Sequence, residues 1–161
     1  TLRVWDVATG TCTAVLQGDE DEHFRAVAAL DSTHVMSASS IGSSFKAPAI
    51  WDLQARTRVA VFKVLEDLAP PYIVNLVVAP DLRHVVMNDG CSVIVWDLAT
   101  RREVAHCTFP GFNPFCVALT PDGRYVLAGG VGSCIRVWRM APPWELVATI
   151  DCGEGGRCTN Y

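Results

Sequence analysis

The chain has 161 residues, 50% of them hydrophobic and 19% charged, with a formal net charge of -4. That balance suits a globular β protein rather than a disordered chain, and the acidic sign argues against a general nucleic-acid surface. No apolar run is long enough to span a bilayer and no signal-peptide pattern opens the sequence, so membrane insertion is not expected.

Thr1 leads directly into a strand, which reads as the start of a piece of a longer protein. Residues 1–6 and about 11–17 predict two strands joined by Val7-Ala8-Thr9-Gly10, with Thr-Gly supplying the turn. Gly18 to His23 is a polar loop holding Asp19, Glu20, Asp21 and Glu22. Phe24 to Leu30 and His34 to Ser39 predict two strands around the turn Asp31-Ser32-Thr33. Ser40 to Pro48, with Gly42, Ser43, Ser44 and Lys46, reads as an inserted loop. Ala49 to Leu53 and Arg58 to Lys63 complete a group of four strands.

A second group follows the break at Glu66 to Pro71. Tyr72 to Val78 is a nearly continuous apolar run, as in a strand buried on both faces. His84 to Met87, the apolar run from Ser92 into Trp96-Asp97, and Glu103 to Thr108 come next, with Asn88-Asp89-Gly90 a hairpin signal. The third group is Phe115 to Thr120, Tyr125 to Gly129, Ser133 to Arg139 and, beyond Pro142-Pro143-Trp144, Glu145 to Ile150. The apolar runs are short, β-branched and punctuated by Gly and Pro, and no long segment has helical periodicity. Asp151 to Tyr161 has no clear period and reads as a loose tail.

One motif recurs through these groups. Trp5-Asp6, Trp51-Asp52, Trp96-Asp97 and Trp138-Arg139 each close an apolar run, at spacings of 46, 45 and 42 residues. In this the chain resembles the WD-repeat proteins, which fold as β-propellers of four-stranded blades. The resemblance covers nearly all of the chain. It implies an all-β partial β-propeller of about three four-stranded antiparallel blades plus half a blade. The half-blade would be 1–17, the repeats 18–63, 64–108 and 109–150, and the irregular tail 151–161. It gives Trp5, Asp6, Trp51, Asp52, Trp96, Asp97 and Trp138 structural roles. In the family this Trp joins a hydrogen-bonded network with a Ser or Thr, a His and an Asp of its own blade. Ser37 or Ser39 and His23 offer themselves to Trp51, and Asp89 to Trp96. Trp138 has Gly129-Gly130-Val131 where a hydroxyl and an acid are usual.

Catalytic chemistry finds little support in the residue pattern. The four histidines are not at metal-ligand spacing, and Gly129 to Ser133 lacks the Gly-Lys-Ser/Thr that a phosphate loop needs. The seven cysteines, at 12, 91, 107, 116, 134, 152 and 158, form no Cys-x-x-Cys pair. Most lie in apolar strand runs and read as buried, reduced thiols of an intracellular protein, cytoplasmic or nuclear, with Cys152 and Cys158 exposed. No catalytic residue, metal or cofactor is expected. Function is expected on the loops, where Asp19, Glu20, Asp21 and Glu22 form an acidic strip and Phe112 and Phe115 flank Pro114, a pairing that suits a peptide surface. The expected function is a non-catalytic protein–protein interaction scaffold, its partners being proteins or peptides and the remaining blades of a parent chain. The alternative is a regulatory propeller segment of a large NACHT- or apoptosome-type signalling ATPase.

Overall fold

The computed structural model describes residues 1–41, 44–62, 73, 75–108, 111–151 and 153. Every regular element among them is a strand, and no helix there is long and apolar enough to cross a membrane. The chain divides into two units, Thr1–Ile73 and Val74–Tyr161.

In the first unit, β1 (Leu2–Asp6) pairs antiparallel with β2 (Thr11–Leu16) as a two-stranded sheet. A four-stranded sheet follows in chain order: β3 (Glu22–Ala29), β4 (His34–Ile41), β5 (Ser44–Asp52) and β6 (Thr57–Val61). Leu16, Met36, Trp51 and Phe62 are fully buried. The expected inserted loop at Ser40 to Pro48 is instead largely strand. The β4–β5 ladder continues through Ser39↔Lys46, Ser40↔Phe45 and Ile41↔Ser44, while Gly42 and Ser43 lie outside the described residues. A register shift between Ser37 and Ser39 makes the extension possible, because it leaves Pro48 off the ladder, where its missing N–H costs nothing.

The second unit holds two four-stranded antiparallel sheets. One contains β7 (Asn75–Val78), β8 (His84–Asn88), β9 (Ser92–Asp97) and β10 (Arg102–Thr108). The other contains β11 (Pro114–Leu119), β12 (Tyr125–Gly130), β13 (Cys134–Arg139) and β14 (Leu146–Asp151). Val86, Val93 and Val95 from the first meet Val117, Val126, Ala128 and Trp138 from the second in one apolar core. Asn88 ties the two sheets by donating Nδ2 to the Pro114 carbonyl at 3.0 Å. Of the strand expected at Tyr72 to Val78, Tyr72 and Val74 lie outside the described residues, as do Glu66 to Pro71, Cys152 and Cys158.

Each third strand meets its outer strand with the same irregularity. Trp5 faces Cys12 and Val4 faces Ala14; Trp51 faces Arg58 and Ile50 faces Ala60. Trp96 faces Glu103 and Val95 faces Ala105; Trp138 faces Leu146 and Val137 faces Ala148. One residue of the outer strand is skipped beside every Trp: Thr13, Val59, Val104 and Val147. This is a β-bulge, and each extra residue is turned out to solvent.

The four tryptophans are not alike. Trp51, Trp96 and Trp138 are buried, whereas Trp5 is 54% exposed. Trp5 lies on a sheet of two strands, and among the described residues no further strand pairs with β1 to cover the indole. Trp51→Ala is therefore expected to cost about 3–5 kcal/mol in chemical denaturation, the range for emptying a large buried aromatic site. Trp5→Ala is expected to cost about 1 kcal/mol or less, the ordinary range for surface substitutions. Equal losses would contradict the difference in burial.

Candidate functional site

The aspartates of the Trp-Asp pairs cap turns. Asp6 Oδ1 accepts the Thr9 amide at 2.8 Å, Asp52 Oδ1 the amides of Gln54 and Ala55 at 2.7 and 2.8 Å, and Asp97 Oδ1 that of Thr100 at 2.8 Å. Each turn closes on a residue in the left-handed region: Gly10 (φ 67°), Arg56 (φ 56°) and Arg101 (φ 56°). Asp97 also accepts Arg83 Nε at 2.8 Å. The Thr100 amide, then the Arg83 guanidinium, hold its carboxyl down to about 2.

The turns between the first two strands of each repeat follow the same chemistry. Asp31 accepts the amides of Thr33 and His34, Asp81 those of Arg83 and His84, and Asp122 that of Arg124. His34 and His84, at matching positions, turn Nδ1 back to Asp31 and Asp81 at 3.0 and 2.6 Å. These histidines complete turns. No group of three His, Cys, Asp or Glu among the described residues could hold a metal ion.

Behind Trp51 the expected network is present in altered form. The indole N–H donates to Ser37 Oγ at 2.8 Å, and Phe24 meets the ring edge-on at 5.7 Å. His23 is exposed on β3 and takes no part; the buried polar group is its neighbour Glu22. Glu22 Oε1 accepts Ser39 Oγ at 2.5 Å, and Oε2 accepts the Asp19 amide at 2.8 Å and Arg58 Nη2 at 2.6 Å. The Arg58 guanidinium lies 4.7 Å over the Trp51 ring. Burial works against the charged form of Glu22, but the Ser39 hydroxyl, the Asp19 amide and the charges of Arg58 and Lys46 outweigh it and lower the carboxyl. A β-carbon on Gly18 would stand 2.5 Å from Glu22 Oε2, so the carboxylate needs glycine there. The positions matching Ser37 are Met87 beside Trp96 and Ala128 beside Trp138, neither of which offers a hydroxyl.

The acidic strip is thus not a uniform outer surface. The Glu22 side chain is only 2% exposed and serves the fold, a correction to its expected place at a partner surface. Asp19 pairs with Lys46 and, at 3.4 Å, with Arg58, and Lys46 then Arg58 lower its carboxyl. Glu20 and Asp21 remain exposed. Extending β3 back to Glu22 explains the split, since alternation turns Glu22, Phe24 and Ala26 inward and His23 and Arg25 outward.

Phe112 is a second correction. It is 3% exposed, with Arg136 stacked 4.4 Å over its ring and Trp138 at 6.4 Å. The loop can fold inward because Gly130 has no side chain: a β-carbon there would lie 2.2 Å from the Asn113 carbonyl oxygen. Phe115, at 63%, is the exposed aromatic of this loop and strand.

The cysteines also depart from expectation. Cys12, Cys91 and Cys116 are exposed, Cys107 is half-buried and Cys134 buried, all five as free thiols. Cys91 lies in a turn, and Cys12 and Cys116 stand on the outward side of β2 and β11. Burial raises the Cys107 thiol. Asp89, expected beside Trp96, caps its own turn. It accepts the Ser92 amide at 2.6 Å and the Ser92 hydroxyl at 2.8 Å. His106 Nε2 lies 2.9 Å from that hydroxyl. With its proton given to Asp89, Ser92 Oγ accepts from His106 and is not activated as a nucleophile.

No protein-family model matches the chain. It is 24% identical over 127 residues to Protein FIZZY-RELATED 2 of Arabidopsis thaliana, covering 75% of this chain and 25% of that protein. Against Protein groucho of Drosophila melanogaster it is 28% identical over 147 residues, 86% of this chain and 19% of that protein. Against the B-type cell cycle switch protein ccs52A of Medicago truncatula it is 24% identical over 127 residues, 75% and 26%. These three are WD-repeat proteins. The chain is similar to them in sequence. It spans about a fifth to a quarter of the length of the curated relatives it matches. Kuenenia stuttgartiensis Hydrazine Synthase, a solved structure, matches 92% of this chain and 42% of its own chain at a TM-score of 0.73 and 16% identity. That likeness is one of fold, a partial β-propeller, and carries nothing about chemistry.

Two predictions arise from these charged groups. Glu22→Gln leaves Arg58 without its closest anion and is expected to cost about 2–3 kcal/mol in urea denaturation, where a solvated acid would cost almost nothing. Asp97, lowered in the folded state to about 2, contributes stability in full above its unfolded pKa of about 4 and loses it as pH falls toward 2. The gap between the urea midpoints of wild type and Asp97→Asn should therefore narrow across that window. A constant gap would show that Asp97 is not held as described.

Proposed function

We propose that this segment is part of a non-catalytic scaffold for protein–protein interaction. The observation that carries the reading is its similarity to WD-repeat proteins across 75–86% of its length. Propellers of this kind present loops at the strand ends to protein partners. Here most polar groups at those ends are committed to their own turns, which leaves Glu20 and Asp21 in one unit and Phe115 in the other as side chains free to meet a partner. The remaining blades of a parent chain are a second kind of partner, to which half-exposed Trp5 and Val27 offer apolar surface. The five unpaired thiols support a reducing, cytoplasmic or nuclear setting.

The test is made in the parent protein. Phe115→Ala should lower capture of its bound protein partners at least tenfold while the melting temperature stays within about 2 °C, because an exposed ring contributes little to folding. Replacing Glu20 by Gln and Asp21 by Asn should slow association with a basic partner at low salt, an effect that fades as salt screens the charges. Unchanged capture and unchanged association rates in both variants would defeat the reading.

A further inference from the structure

The repeats can be matched residue by residue at the end where the third strand enters its turn. Leu53 donates its amide to the Thr33 carbonyl, Leu98 to that of Arg83 and Met140 to that of Arg124, at 2.8, 2.8 and 2.7 Å. Thr33, Arg83 and Arg124 are thus equivalent, and so are Asp52, Asp97 and Arg139, the residues before each donor. In the second repeat these two positions form an ion pair with a directed hydrogen bond, Arg83 Nε to Asp97 Oδ2 at 2.8 Å. In the third repeat both positions are arginine.

Arg124 and Arg139 line one cavity of about 390 Å³, together with Tyr125 and Met140. They are 77% and 52% exposed. Arg124 Nε stands 3.6 Å from Asp122, and Arg139 Nε 3.3 Å from Glu145. Neither guanidinium makes a hydrogen bond among the described residues. Asp122 faces Arg124 with Oδ2, while its Oδ1 accepts the Thr120 hydroxyl at 2.6 Å and the Arg124 amide at 3.0 Å. Two cationic forks therefore share a concave site, each within ion-pair distance of a carboxylate but with neither in the directed hydrogen bond that joins Arg83 to Asp97 in the sister repeat.

We propose that Arg124 and Arg139 bind a carboxylate side chain of an acidic segment in a partner protein, which takes the place that Asp97 occupies beside Arg83. A guanidinium matches a carboxylate through paired N–H donors, and two of them can hold one from both sides. A single negative charge suits the site better than a phosphate dianion, which would be pressed against Asp122 and Glu145. The proposal rests on the reading of the chain as a protein-binding segment and names the chemistry of one partner group.

Fluorescence anisotropy on the full chain tests it, with a fluorescein-labelled hexaglutamate peptide as probe at low salt. Arg139→Asp rebuilds the Arg–Asp pair of the second repeat and should weaken peptide binding at least tenfold. Arg124→Gln, which removes one fork without adding charge, should also weaken it severalfold. Arg102→Asp makes the same charge change on an exposed site of β10 and should leave binding within about twofold, the margin expected from screened long-range charge. The proposal is overturned if wild type does not bind hexaglutamate, if Arg139→Asp binds as wild type does, or if Arg102→Asp loses as much. Tighter binding of a matched phosphoserine peptide would overturn the carboxylate assignment. Partner capture through Phe115 is read separately, so failure of this site alone leaves the scaffold reading standing.

Discussion

The cap that a carboxylate places on the turn after Trp is the constraint that sets the end of the third strand wherever Trp is followed by Asp. The indole of a Trp-Asp pair anchors the third strand in an apolar core, and the next side chain fixes where that strand stops. Asp52 and Asp97 each hold a four-residue turn, Asp52 by accepting the amides two and three positions on and Asp97 by accepting the amide three positions on. Where Arg139 replaces the aspartate, backbone hydrogen bonds take over the turn. Trp144 donates its amide to Ala141 at 2.8 Å and Arg139 to Glu145 at 3.0 Å, so the connection lengthens before β14 begins. Loss of one carboxylate thus changes both the shape of a loop and the charge at the sheet end.

The fold was legible because its signals are local and repeated. Alternating apolar residues, Asp-bearing turns and the Trp spacing all point to four-stranded antiparallel sheets, and the strands lie within a few residues of where those signals put them. The site was less legible, because the misread residues depend on facing direction. Phe112 and Phe115 are equally aromatic and three residues apart, yet one lies under Arg136 and the other faces solvent. Only the close approach that Gly130 permits separates them. In the sequence Glu22 reads as one of four loop acids, because apolar alternation is evident only from Phe24; in the fold β3 begins two residues earlier and the alternation turns Glu22 inward. Its cations, Lys46 and Arg58, come from the third and outer strands, a pairing that sequence order does not reveal.

Charge in this protein serves mainly to hold the chain to itself. Asp19 and Glu22 fasten the loop before β3 to the outer strand, and Asp31, Asp81 and Asp122 organise hairpins. A formal net charge of -4 therefore says little about what a partner would feel. The charges open to a partner are the few that no turn employs, and they differ from repeat to repeat. Identical scaffolding with unlike residues at equivalent positions is how a repeat protein acquires separate binding sites without changing its fold.

The bulge beside each Trp has a consequence for assembly. β6, β10 and β14 end their sheets, and an end strand with an unbroken row of amides and carbonyls invites another strand to dock. The skipped residue at Val59, Val104 or Val147 throws the row out of phase, so an added strand could follow it on one side of the interruption but not across it. Repeated at every outer strand, the irregularity blunts polymerisation by strand addition. A partner meeting these rims must then read side chains, whose identity varies, rather than backbone, which would be the same in every repeat.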